Sequence, residues 1–68
     1  MKIAVLGAGA WGTAQAISLA GHHRVALWAR DPEQARALVR DRVNRRYLEE
    51  AALPPAVHPT SDFSHAVD

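Results

Sequence analysis

Two short apolar runs frame the first half of the chain, residues 1–6 (MKIAVL) and 24–29 (RVALWA). Neither alternates polar with apolar positions, the pattern of strands buried on both faces of a parallel sheet. Between them, residues 10–20 are rich in small side chains and predict a helix with Ala14, Ile17 and Ala20 or Gly21 on its packed side. Gly21 stands where a left-handed helix cap is expected. Strand, helix and strand in this order favour a right-handed crossover. Asp31, Pro32 and Gln34 form a dense helix-start signal: an N-cap acid, a proline at the first helical position and a capping-box partner three residues after the cap. Ala35, Leu38 and Val39 give this second helix its apolar stripe. Residues 44–55 read as a loop closed by Pro54 and Pro55. Residues 56–59 predict a short third strand, peripheral because Pro59 cannot donate to a ladder. Ser61 or Asp62 is the expected cap of a third helix that has barely begun at Asp68. No repeat and no low-complexity segment interrupts this order.

At the junction of the first strand and first helix lies Gly7-Ala8-Gly9-Ala10-Trp11-Gly12, a G-x-G-x-x-G turn. Gly7 permits the tight turn, Gly9 lets backbone come close to a pyrophosphate, and Gly12 allows helix to pack closely on strand. The free amides and positive dipole end of the helix then face the phosphates. Such turns also occur without a ligand, so the pattern gains meaning only from its context. Here it follows a strand, opens a helix and lies within a strand–helix–strand unit of about 30 residues. The fold class is therefore α/β: a Rossmann-type parallel sheet over residues 1–68, truncated to a β-α-β-α-β opening unit. Only one side of strand 1 is encoded, so the chain is expected to be a fragment. The open edge of strand 1 predicts self-association with a second copy, or a partly molten or aggregated state.

The residue closing strand 2 bears on the choice between NAD and NADP. An acid there would accept from a ribose 2′-hydroxyl, but Asp31 is better explained as the cap before Pro32. Arg30 is left near the ribose, where a guanidinium pairs with a 2′-phosphate. The expectation is that NADP binds at least as well as NAD; the plain alternative is a solvated loop arginine. Trp11 in the turn either walls the dinucleotide or packs against another part of the protein. Trp28 belongs to core or sheet-face packing.

Composition narrows the partners. Sixty-eight residues make at most one folding unit, 49% apolar, without cysteine and with a formal net charge of +1. No global charge draws the chain to nucleic acid or membrane. Arg36, Arg40, Arg42, Arg45 and Arg46 cluster, but Asp41, Glu49 and Glu50 are interleaved and no aromatic ladder accompanies them, so the cluster reads as a solvated helix face. The apolar run after Lys2 is too short for a signal peptide, and nothing approaches a membrane span. A cytoplasmic protein is expected. His22, His23, His58 and His65 show no metal-ligand spacing, and Thr13, Ser18, Ser61 and Ser64 read as helix and cap residues rather than nucleophiles.

With these residues in view, the chain resembles the N-terminus of NAD(P)-dependent glycerol-3-phosphate dehydrogenases. The likeness runs through IAVLGAGAWGTA, with tryptophan between the second and third glycines, through LWARDPE, and through Asn44-Arg45-Arg46-Tyr47-Leu48 followed by Leu53-Pro54-Pro55. It implies reduction of dihydroxyacetone phosphate to sn-glycerol 3-phosphate, a phospholipid precursor, by hydride transfer from NAD(P)H. It also implies cofactor contacts at Ala10, Trp11 and Arg30, with Tyr47 either a further contact or an aromatic pinning its loop to the domain. Glu49-Glu50 departs from the family's usual Pro-Gly. The family's catalytic lysines and helical substrate domain are expected beyond residue 68, and Lys2, the only lysine here, has no claim to that role. A 6-phosphogluconate-like dehydrogenase shares the opening unit, but residues 44–55 speak against it. A non-catalytic dinucleotide-binding or self-associating module is the reading from a different class.

Overall fold

The computed structural model describes residues 2–67, apart from the side chain of Glu49. In chain order the elements are β1 (Lys2–Leu6), α1 (Ala10–Leu19), β2 (Arg24–Trp28), α2 (Pro32–Asp41), β3 (Val43–Asn44), β4 (Leu48–Ala52), β5 (Val57–Thr60) and α3 (Phe63–Val67). Strands β1, β2 and β5 form one parallel sheet in the order β1-β2-β5, with Ile3 opposite Val25 and Val25 opposite Val57. Strands β3 and β4 make a separate antiparallel hairpin. The expected β-α-β-α-β order is present, with the hairpin inserted before the last strand. Met1, placed in the first strand by sequence, and Asp68 lie outside the described residues.

Period-two alternation divides the sheet into two faces. Val5, Val25, Leu27 and Val57 pack with Ala16 of α1 and with Ala35 and Leu38 of α2. The opposite face carries α3, whose Phe63 ring meets Trp28 edge-on at 5.5 Å between centroids. The Trp28 indole N–H donates to the Ser61 carbonyl at 3.1 Å. Trp28 thus packs on the sheet face, as its sequence position implies.

Helix α1 packs Ile17 and Ala20 against the core as expected, but its most buried positions are displaced from the expected stripe. Thr13 and Ala16 are the buried residues, whereas Ala14 is exposed. Gly12 must lie against the turn backbone, and that contact sets the rotation, bringing the row Thr13, Ala16 and Ala20 toward the sheet. The cap at its end is also different. Ala20 closes α1 in a right-handed conformation, and the amides of His22 and His23 bond back to the Leu19 carbonyl. Gly21 is therefore not a left-handed cap.

Helix α2 begins as predicted, with Asp31 accepting from the Glu33 amide at 2.9 Å and Pro32 in the first turn. Two details depart. Gln34 does not reach back to close a capping box; its side chain donates to the Ala8 carbonyl at 3.1 Å. Val39 is 55% exposed, because Ala35 and Leu38 alone complete the stripe that meets the sheet. The helix ends at Arg42, left-handed at φ 55°. That strained backbone is held by the Arg42 guanidinium, which donates to the carbonyls of Pro54 at 2.6 Å and Val57 at 2.8 Å. Arg42 is consequently not part of a solvated face.

The largest correction concerns residues 44–55, expected as a loop. Residues 43–52 form the β3–β4 hairpin, pinned at one end by buried Asn44 and at the other by Leu53, whose amide donates to the Arg42 carbonyl at 2.7 Å. Leu48–Ala52 reads LEEAA, without β-branched residues, so its strand character comes from these anchors and not from local propensity. Strand β5 flanks β2 as a peripheral strand, which accommodates Pro59. Asp62 is the cap of α3, its carboxylate accepting from the His65 amide at 3.1 Å.

Candidate functional site

The glycine turn lies at the C-terminal end of β1, with β2 parallel beside it. Gly7 adopts φ 123°, a region that L side chains rarely enter, and its amide donates to the Trp28 carbonyl at 3.0 Å. The turn is thus stitched to the end of the neighbouring strand. At Gly12 a Cβ would collide with the backbone carbonyl of Gly7, so close helix–strand contact dictates glycine there. Gly9 differs from both. Its backbone is ordinary, at φ −77°, and beyond its own chain neighbours no atom lies within 4 Å of where its Cβ would be. The fold itself does not need glycine at this position, and its absence of a side chain leaves the backbone open to close approach.

Gly9 is also the N-cap of α1. The first helical bond runs from the Thr13 amide to the Gly9 carbonyl at 3.0 Å, and no side chain caps the helix. The amides of Ala10, Trp11 and Gly12 precede that bond and have no intrahelical acceptor. No acid stands in the first turn of α1, whereas α2 has Asp31 at its cap and Glu33 in its first turn. The positive end of the α1 dipole is therefore not neutralised by the chain, which suits an anion.

Behind the turn lies a support that the sequence did not announce. Asn44 is 1% exposed, and its Nδ2 donates to the Ala8 carbonyl at 2.8 Å and to the Thr13 hydroxyl at 2.7 Å. Gln34 adds a second donor to the same Ala8 carbonyl. The available signal was the place of Asn44 at the head of the Asn44–Leu48 segment that carries the family resemblance.

The structure brings Gly7, Gly9, Ala10, Trp11 and Gly12 together in one turn. Trp11 is 84% exposed and lines a groove with Leu6, Gly7, Gly12 and Gln15 beside the free edge of β1. Arg30 follows β2, exposed, and makes no ion pair among the described residues. The neighbouring Asp31 carboxylate is occupied by the Glu33 amide, as expected of a cap. Tyr47 stands in the turn of the β3–β4 hairpin, half-exposed, with the Arg46 guanidinium 5.4 Å from its ring centroid. The arginine cluster is dispersed: Arg40 and Arg45 pair with Asp41 at 3.0 and 3.6 Å, and Arg42 turns inward. The Arg40 hydrogen bond holds the Asp41 carboxyl below its usual range. Among the described residues no group of three His, Asp or Glu side chains converges on a possible metal position.

This geometry coincides with a family pattern covering nearly the entire chain. The model of the NAD-dependent glycerol-3-phosphate dehydrogenase N-terminus matches residues 2–68. The chain belongs to this family. It is 59% identical over 64 residues to the glycerol-3-phosphate dehydrogenase (NAD(P)+) of Acidovorax ebreus (strain TPSY), covering 90% of this chain and 19% of that protein. Against the enzyme of the same name from Nitrosomonas europaea it is 52% identical over 68 residues, all of this chain and 21% of that one. The crystal structure of glycerol-3-phosphate dehydrogenase from Coxiella burnetii superposes with a TM-score of 0.92 at 34% identity, over 97% of this chain and 21% of that chain. The glycerol-3-phosphate dehydrogenase N-terminal fold is therefore present, Rossmann-type sheet included. The chain spans about a fifth of the length of these relatives.

Proposed function

We propose that this chain is the dinucleotide-binding part of an oxidoreductase that reduces dihydroxyacetone phosphate to sn-glycerol 3-phosphate with NADPH or NADH. The observation that carries the reading is the contrast within the turn: Gly7 and Gly12 are required by the fold, whereas Gly9 faces open space beside uncapped helix amides. A diphosphate bridge fits that cradle in size, charge and hydrogen-bonding capacity. The printed names of the relatives supply the substrate class, and the match of residues 2–68, hairpin included, favours this reading over other dehydrogenases and over a non-catalytic module.

In this scheme the residues of the chain bind and orient. The amides of Gly9, Ala10, Trp11 and Gly12 hold the diphosphate, and Gly7 sets the turn that presents them. Trp11 walls one side of the dinucleotide and thereby limits access of water. Arg30, which makes no ion pair among the described residues, meets the ribose and pairs with a 2′-phosphate, so that NADPH is accepted at least as well as NADH. Tyr47 contributes a weaker contact from the hairpin. When bound, the nicotinamide supplies the hydride. No residue of this chain is assigned a catalytic role.

No helix of the described residues is long and apolar enough to cross a membrane, and we read the enzyme as cytoplasmic. We read the partner as the dinucleotide rather than nucleic acid; of the clustered arginines, Arg40 and Arg45 pair with Asp41 and Arg42 turns inward. Titrating the chain and its Arg30→Ala variant with NADPH and NADH tests the assignment. NADPH affinity is expected to fall about tenfold in the variant, the worth of one charge-assisted contact, with NADH little changed. Unchanged NADPH affinity would remove Arg30 from the site, and binding of neither dinucleotide by the wild type would refute the function.

A further inference from the structure

We infer that Asn44 is a positioning residue of the glycine turn, aiming the Gly9 amide at the diphosphate from behind. The inference rests on the proposed dinucleotide site and adds to it a residue remote from the fingerprint in sequence.

The geometry begins with one oxygen. The Ala8 carbonyl receives two side-chain donors, Asn44 at 2.8 Å and Gln34 at 3.1 Å. The Ala8 carbonyl and the Gly9 amide belong to the same planar trans peptide, in which C=O and N–H point in opposite directions. Drawing the oxygen inward to Asn44 therefore turns the Gly9 N–H outward. The second hydrogen on Asn44 Nδ2 is used as well, reaching the hydroxyl of Thr13, which is fully buried in the first turns of α1. One amide group thus fixes both the peptide plane at the helix N-cap and the position of the helix behind it.

Asn44 is suited to this by burial. At 1% exposure it has no water to compete for its donors, and a misplaced Ala8 carbonyl would leave buried polar groups without partners. Glycine at position 9 makes the support necessary. With little intrinsic preference between peptide orientations, a Gly-flanked peptide is readily turned over unless an external bond holds it. The hairpin that brings Asn44 to the turn also carries Tyr47, the weaker contact proposed above.

The test uses Asn44→Ser, which is neutral and too short to span both acceptors, together with Gln34→Ala, which removes the second donor from a side chain outside the core. For each variant, thermal melting, NADPH affinity well below the melting temperature, and the Gly9 amide resonance in a 15N-labelled chain are measured. A positioning role is expected to weaken NADPH binding about tenfold in Asn44→Ser, and less in Gln34→Ala, with the free Gly9 amide resonance displaced in both. Folded variants whose NADPH affinity stays within about twofold of wild type, with the Gly9 resonance in place, would overturn the inference however much their melting temperature falls. If Asn44→Ser does not fold, Gln34→Ala decides by the same two measurements. Wild type that binds NADPH while the variants bind it equally well defeats only this inference; wild type that binds neither dinucleotide defeats the proposed function and this with it.

Discussion

Adding one methyl group at Gly9 or at Gly12 separates what the fold requires from what a ligand requires. At Gly9 the backbone is already acceptable to alanine, and the new Cβ meets no atom within 4 Å beyond its chain neighbours. Two small terms oppose each other: reduced freedom of the unfolded chain stabilises by about 0.4–1 kcal/mol, and loss of a favourable N-cap residue costs about 0.5–1 kcal/mol. The melting temperature of Gly9→Ala should therefore stay within about 5 °C of wild type. At Gly12 the same methyl collides with the Gly7 carbonyl, a backbone atom that cannot swing aside. The expected cost is about 1–3 kcal/mol or more, a large share of the roughly 3–10 kcal/mol available to a chain of this size. Gly12→Ala should melt at least about 5–15 °C lower, or fail to fold. Binding should show the reverse contrast. The Gly9 methyl projects into the space a diphosphate must enter, and displacing that contact should cost about 1.4–2.8 kcal/mol, ten- to hundredfold in NADPH affinity. Circular dichroism melts and fluorescence titration with NADPH measure both quantities. Gly9→Ala with undiminished NADPH affinity, or destabilised as severely as Gly12→Ala, would refute the reasoning.

Arg42→Ala should lower stability by about 2–4 kcal/mol in denaturant unfolding, since two carbonyls lose a charged donor and a left-handed residue loses its tether; Arg42→Gly should recover about 1 kcal/mol of this by accepting φ 55° freely, and equal losses in the two variants would contradict that account. Expressed as these 68 residues, the chain is expected to associate through the free edge of β1, where Leu6 and the groove beside Trp11 are exposed. Sedimentation velocity across a concentration series measures this, and a concentration-independent folded monomer would count against it.

Much of the site was legible because its chemistry is local. Gly7, Gly9 and Gly12 act through their own backbone and immediate neighbours, so their spacing after an apolar run conveyed the turn. Asp31 and Pro32 were readable for the same reason. What escaped depends on contacts distant in the sequence. Leu48–Ala52 lacks strand propensity and pairs only because Asn44 and Leu53 are held by the rest of the fold. Gln34 looked like a capping-box residue, yet a buried carbonyl 26 positions away is its acceptor. Ala14 fitted a helical stripe as well as Ala16 does; the rotation was decided by Gly12 against Gly7, a steric fact absent from any periodicity. Arg42 was counted with its charged neighbours although its guanidinium closes a backbone corner.

The two hydrogen bonds accepted by the Ala8 carbonyl bear on the order of events during folding. Their donors come from 26 and 36 positions further along the chain, so the first strand and helix can form early while the corner between them still lacks its fixed shape. That corner becomes competent only once the second helix and the hairpin have both docked. On the site proposed above, a chain lacking its later segment would keep the glycines yet lose both donors that fix the Ala8 peptide, and with them its grip on a dinucleotide.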